Sequence, residues 1–484
     1  MPYVKFSVKS AGVKQRFEPF FGSVSSKAFH LKFKILKYNG KMSRKRIWLL
    51  GLFGILLLGA VGLYLFYPRL ILAVHNRYPK SVPNGLLLLV ATPLPTALPA
   101  PTSLANSNQL SVISEQLAQL QSTATATPTA TLAPTFTPQS PASTLQSPPP
   151  EPTATSTPLP PTATPLPTAV RLENITVIPQ KFNNCGPANL TITLGFHGIE
   201  VDQLDVGGAI KPNYDDRNVS PWELVDYVNL KTDLQARYFV GGNVALLKEL
   251  VAAGYPIIIE KGLYPNAWEG WMGHYLTVIG YDDASQEFIS LDTFLGPWDS
   301  SGRRDSYESL DEFWQMFNYT FILLYPPEDE TAVLALLPSE FIEPADMWWE
   351  TAVTNQQLTT TQPDNPYAWF NLGSSLTHLA DLTGNPNLYA SAAAAFDQAR
   401  TLGLPWRMLW YQFEPYAAYL ANGRTEDVFT LSDAILSTEG GQNVEETYLY
   451  RSQAYALLGD DTAAAAALAI AQELNPNLET AVSD

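Results

Sequence analysis

Cys185 is the only cysteine in the 484 residues, and it stands in Gln180-Lys-Phe-Asn-Asn-Cys185-Gly186-Pro187 ahead of an apolar helical stretch. A lone thiol forms no internal disulfide. The Gly-Pro after it suits a helix start, because proline in the first turn gives up no needed hydrogen bond. A cysteine at a helix N-terminus feels the positive end of the helix dipole, which favours thiolate over thiol. That is the setting of a nucleophile. A free cysteine is equally at home as a small buried hydrophobe, so the assignment depends on partners elsewhere.

A sulfur nucleophile needs a general base within hydrogen-bond reach. The five histidines are His30, His75, His197, His274 and His378. His197 is twelve residues after Cys185 on the same expected helix, roughly 18 Å away at the α-helical rise, and cannot serve. His30 and His75 flank a long apolar span, and His378 lies in the helical C-terminal third. His274 remains. It opens a β-branched, alternating run over 274–281 that predicts a strand, followed by turn residues Asp282-Asp283-Ala284-Ser285 and a second predicted strand over 287–291. In a hairpin turning near 283–286, His274 falls beside residues 292–294, so Asp292 can orient the imidazole. As alternatives, Asp292 is an ordinary turn aspartate and His274 a satisfied core histidine. Gln180, five residues before the sulfur, carries a side-chain amide that could join the Cys185 N–H in stabilising an oxyanion.

Taken together, Gln180 through Pro187, His274-Tyr275, Gly280-Tyr281-Asp282 and Asp292 resemble the C39-like group of papain-type cysteine peptidases over residues 171–327. The resemblance implies an α+β papain-like fold, with a nucleophile-bearing helix packed on an antiparallel sheet that carries the base. It implies peptide hydrolysis through an acyl-thioester with no metal or other cofactor. Carried over, Cys185 is the nucleophile, His274 the base, Asp292 its orienter and Gln180 an oxyanion donor. Well-known members are fused to ABC transporters and cut leader peptides after a Gly-Gly pair. This sequence lacks a Gly-x4-Gly-Lys-Ser/Thr phosphate loop, so only the reaction type transfers.

The surrounding segments suggest how such a site is presented. Residues 47–67 carry no charge and are long enough to cross a bilayer. Residues 1–46 hold twelve Lys and Arg against one acid, Glu18, which places that tail in the cytoplasm and the remainder outside. The span is long for a signal peptide, and no small-residue cleavage site follows it. Met42 begins Met-Ser-Arg-Lys-Arg and reads as an alternative start, so 1–41 is either a basic tail or a mis-assigned start. The whole chain carries −17, leaving about −28 for the rest, which argues against nucleic acid as a partner. Residues 68–170 form a linker, dominated from 91 onward by Pro, Thr, Ala and Ser with only Glu115 and Glu151 charged. Such sequence favours extended, disordered chain. Residues 108–121 are compatible with a short amphipathic helix inside it.

Within 171–327, helices are predicted over 222–230 (capped by Ser220, with Pro221 first), 243–253 and 311–316, and strands over 255–260 and 320–325. Trp268, Trp271 and Trp298 fall on loops beside His274 and Asp292, read as packing rather than as a substrate rim. Residues 340–484 are alanine-rich and helical. Tyr448, Ala454, Tyr455, Gly459, Ala464, Ala471 and Pro476 resemble a tetratricopeptide unit, as do Trp369, Gly373, Ala392, Phe396 and Ala399, with a degenerate unit around 416–436. That resemblance implies a protein or peptide partner on the repeats; a structural cap on the catalytic domain is the other reading. The sequence thus describes a membrane-anchored, extracytoplasmic cysteine peptidase acting on a peptide or protein substrate. A degenerate domain that binds peptides without cutting them, and an acyl transferase using the same thioester, are the alternatives.

Overall fold

The computed structural model describes residues 97–101, 112–125, 165–266 and 269–478. The expected tail 1–46, the span 47–67 and Trp268 lie outside the described residues. Among the described residues no helix is long and apolar enough to cross a membrane.

Two pieces of the Pro/Thr/Ala-rich segment are not free tether. Helix α1 (Ile113–Thr125) buries Ile113 and Leu117, and Leu98 is buried with them. These are aliphatic residues in a stretch otherwise poor in them, so they gain most from docking. Proline-rich chain leaves its carbonyls unpaired, and Arg400 uses two of them: its guanidinium donates to the Pro99 and Ala100 carbonyls at 2.9 Å each. Nor does the linker run to 170. Strand β1 (Ala169–Arg171) already belongs to the sheet, and the Pro167 carbonyl accepts the Tyr281 hydroxyl.

The α+β domain follows as α2 (Cys185–Phe196), α3 (Gln203–Ile210), α4 (Pro221–Lys231), β2 (Gln235–Phe239), α5 (Val244–Ala252), β3 (Ile257–Leu263), β4 (Met272–Asp282), β5 (Glu287–Leu291), β6 (Arg303–Ser306), α6 (Tyr307–Gln315) and β7 (Phe321–Tyr325). The strands form one antiparallel sheet in the order β2-β7-β3-β4-β5-β6, with β1 added along β4. Local chemistry sets several boundaries. Pro221 opens α4, where the Glu223 carboxyl accepts the Ser220 N–H at 2.7 Å. Asn243 caps α5 by accepting from Leu246 N. The Ser306 hydroxyl accepts from Ser309 N, so α6 starts a turn earlier than the predicted 311. Strand β3 runs on to Leu263 because Glu260, Lys261 and Gly262 continue the ladder opposite Tyr275, His274 and Gly273. The charge of Lys261 and the glycine after it concealed that extension beyond the predicted end at 260. Helix α3 and strands β2 and β6 were not anticipated.

Alternation along the central strands divides two cores, as the period-2 pleat requires. Ile258, Tyr275, Ile322 and Leu324 pack with α2, α3 and α4. Ile257, Ile259, Leu276, Val278, Phe321 and Leu323 face a second core, which continues without a break into the C-terminal helices through Phe341, Trp348, Phe370, Phe396 and Trp410.

That C-terminal region is helical throughout: α7 (Glu330–Leu336), α8 (Pro344–Thr361), α9 (Pro366–Thr383), α10 (Asn387–Leu402), α11 (Glu414–Ala421), α12 (Thr425–Leu436), α13 (Glu445–Leu457) and α14 (Asp461–Leu474). Helices α9 and α10 pack on each other, as do α13 and α14. Gly373 permits the α9–α10 approach, since a Cβ built there would lie 2.7 Å from the Phe396 ring. Gly373→Val is therefore expected to lower stability by about 1–3 kcal/mol through overpacking, read as a shift of the urea midpoint. An unchanged midpoint would contradict that close contact.

Candidate active site

Cys185 is the first residue of α2, half-buried, with the dipole of a 12-residue helix behind it. What holds this helix end against the sheet is Asn189, one turn on and fully buried. Its amide donates to the Cys185 carbonyl at 2.9 Å and to the Tyr275 carbonyl at 2.8 Å, and its oxygen accepts the Thr277 hydroxyl at 2.8 Å. One side chain thus pins the turn bearing the sulfur to the strand bearing the histidine. Behind it, the buried Asn184 donates to the Gln203 carbonyl at 2.8 Å, tying the residue before the sulfur to α3.

His274 lies on β4 and is 2% exposed; its Nε2 is 3.1 Å from Asp292 Oδ1, which is equally buried. The expected hairpin exists, with a bulge between Val278 and Gly280 that shifts the register beyond it. Asp292 also behaves as a turn aspartate. Its Oδ1 accepts the backbone N–H groups of Phe294 at 2.9 Å and Leu295 at 2.8 Å. The two readings are one arrangement: the turn bonds hold the carboxylate still, and the same oxygen meets the imidazole. With Nε2 turned to Asp292, Nδ1 is the ring nitrogen left to face the Cys185 thiol, whose pKa the ring lowers.

The charges reinforce one another. Burial alone would raise the Cys185 pKa, but the His274 hydrogen bond and charge, the Tyr275 backbone N–H and the nearby Lys211 bring it below the ordinary thiol value. Burial would lower the His274 pKa, yet the Asp292 charge and hydrogen bond, with the sulfur's help, lift it to about 9. Asp292 is held at about 2 against its own burial, chiefly by the His274 charge. Such an arrangement favours a thiolate beside an imidazolium; the sulfur can then attack a carbonyl carbon and the ring protonate the leaving group.

Residues 172–321 match the Peptidase_C39 like family. Three solved structures are similar to this region, each covering 32% of the chain. A C39-like peptidase from Bacillus anthracis is 19% identical, covered over 97% of its length, with a TM-score of 0.27. The peptidase domain of Streptococcus ComA, a bifunctional ABC transporter involved in quorum sensing, is 19% identical, 99% covered, at 0.26. A double-glycine-motif protease from an AMS/PCAT transporter, in complex with its leader peptide, is 16% identical, 98% covered, at 0.24. No curated protein matches the chain.

Within the matched region Gln180 reaches the same corner. Its backbone N–H donates to the Thr293 carbonyl at 2.9 Å, and its Oε1 accepts the Thr293 hydroxyl at 2.9 Å. With the oxygen so occupied, Nε2 is left to donate. Trp271 packs as expected, 3% exposed and stacked on Phe317 at 5.7 Å, whereas Trp298 is 42% exposed.

Sequence reasoning missed three participants. Asn189 sits four residues after Cys185, the one-turn spacing at which an amide can bond back to the helix start. Glu260 and Tyr411 both line the cleft at Cys185. Tyr411 comes from the loop between α10 and α11 and rests against Gly273, where a Cβ would fall 2.9 Å from its ring. The helical region thereby forms a wall of the cleft at Cys185. Arg407 holds that loop in place by donating to the Glu269 carbonyl at 2.6 Å.

Asn189→Ala would strand the Tyr275 carbonyl and the Thr277 hydroxyl, each costing about 1–3 kcal/mol. The expected outcome is a folded but less stable protein, by circular dichroism and urea melts. Its Cys185 should react with iodoacetamide at least about tenfold more slowly at pH 7, as the His274 contact loosens. An undiminished alkylation rate would contradict the positioning role of Asn189.

Proposed function

We propose that the chain is a cysteine peptidase that hydrolyses peptide bonds through an acyl-thioester on Cys185. The alignment of a helix-start thiolate, a buried imidazole and a buried carboxylate carries this reading. His274 protonates the leaving amine and then activates water against the thioester. Asp292 keeps the ring oriented and its charge balanced, and Gln180 Nε2 with the Cys185 N–H faces the oxyanion. The apolar, uncharged span 47–67 and its basic flank support a single-pass membrane anchor with the catalytic region on the extracytoplasmic side. The helical region, which carries tetratricopeptide-like spacing, acts first as a structural cap, because its core is continuous with the sheet's.

Turnover of a mixed peptide library by the full chain, compared with Cys185→Ala, tests the reaction. Wild type is expected to generate new amino termini and the variant none; equal, absent cleavage in both would remove the peptidase reading. The pH dependence follows from the charges. The ion pair forms as pH rises through the lowered Cys185 pKa and ends as His274 loses its proton near 9. A bell-shaped kcat/KM is therefore expected, with an acid limb below the ordinary thiol range and an alkaline limb near pH 9. Asp292→Asn withdraws the charge that holds His274 protonated, so the alkaline limb should move to lower pH and kcat should fall. An alkaline limb that stays in place would contradict the role given to Asp292.

A further inference from the structure

The cleft at Cys185 does not end there. Glu260 and Tyr411 line it and also line an adjoining, partly open pocket between the sheet and the helical region. Its walls are largely aromatic: Trp222, Tyr238, Trp348 and Tyr411 all face it, with Trp222 43% exposed at its edge. Its ionisable lining consists of the carboxyls of Glu260 and Glu414, the imidazole of His378 and the Tyr238 and Tyr411 hydroxyls, with no Lys or Arg. Arg217 stands only on the Cys185 side, where its guanidinium lies over the Trp410 ring at 5.4 Å.

The polar groups here are under-used. His378 stacks on Trp348 at 4.0 Å and its Nε2 lies 3.3 Å from Glu414 Oε1. Glu414 Oε2 is buried with no hydrogen-bond partner among the described residues, and so is the hydroxyl of Ser374, which is 3% exposed and lines the same cavity. Glu260 is 4% exposed. Buried polar groups normally find partners, and those that do not mark a place a ligand can satisfy. Carboxyls and aromatic faces with no Lys or Arg beside them, and one imidazole already on Glu414, are the chemistry that receives a positive charge.

We infer that this cavity is a subsite for a lysine or arginine side chain of the peptide whose backbone lies at Cys185, its charge taken up by Glu260 and Glu414 between aromatic walls. The inference rests on the peptidase reading and adds a substrate class to it. Burial holds the Glu260 pKa well above the ordinary carboxyl range, against the pull of the nearby Tyr275 hydroxyl, so an arriving cation should displace a proton from it.

The test uses full-length Cys185→Ala and a set of otherwise neutral peptides carrying lysine, norleucine or glutamate at successive positions, with binding read by titration calorimetry. At one position lysine is expected to bind roughly ten- to hundredfold more tightly than norleucine, the span of a charge-assisted bond, and glutamate more weakly than both. Heats in buffers of different ionisation enthalpy should show proton release with lysine only. Glu260→Gln and Glu414→Gln should each reduce the lysine advantage and leave norleucine affinity nearly unchanged. Equal affinities for lysine and norleucine, or no binding of the lysine peptides, would overturn the subsite even if the Gln variants failed to fold. Wild-type turnover of the same peptides separates the two claims. Charge-selective binding without cleavage would remove the peptidase reading and leave the subsite standing; cleavage indifferent to charge would do the reverse.

Discussion

A helix start and a strand start can act on one another only if something sets their separation, and here that is the buried amide of Asn189. It bonds across from the Cys185 carbonyl to the Tyr275 carbonyl and the Thr277 hydroxyl, one and three residues after His274 along β4. The bonds lie out of water, so their geometry is strict and the loss of either partner is costly. Everything electrostatic in the site depends on that separation. The imidazole lowers the thiol's pKa only because it is close, and Asp292 raises the imidazole's pKa only because turn bonds stop the carboxylate from rotating away.

The helical region takes part in this geometry rather than hanging from it. A single apolar core runs from one face of the sheet into the helices, and polar bonds cross the same boundary. Asn371 donates to the Gln315 carbonyl at 2.7 Å, Asn355 to Asn318 at 2.9 Å, and Gln412 to the Met316 carbonyl at 3.1 Å. The helices and the sheet are thus joined by both apolar packing and hydrogen bonds. The consequence for the site is local: the loop after α10 brings Tyr411 to the cleft, and the space between the two regions becomes part of the cavity beside the sulfur. Two pieces of the upstream segment, around Leu98 and along α1, are drawn onto the far side of the same helices.

Much of the reacting corner was legible in advance because its cues are short in sequence. Cys-Gly-Pro marks a helix start, and His274 through Leu291 carries hairpin alternation with turn residues at its centre, so His274 and Asp292 could be paired by counting. The bulge at Ile279 could not be counted, yet it shifts register by only one residue and leaves the two within reach. Glu260 read as the charged end of a strand and Tyr411 as part of a distant loop. Neither has a local signal, because each becomes part of the site only through the partner it packs against.

Residue order by itself determined which side chains are candidates for chemistry: one sulfur, one suitably flanked imidazole and an acid two strands' length away, with helix and strand propensities that follow from local sterics and periodicity. Tertiary structure decided how strongly they are coupled and what surrounds them. Proton affinities depend on burial and on distances between groups far apart along the chain, and cavity walls arise where separate segments meet. The joined core, the Asn189 bridge and the carboxyl-lined space beside Cys185 are therefore properties of packing, which no run of neighbouring residues encodes.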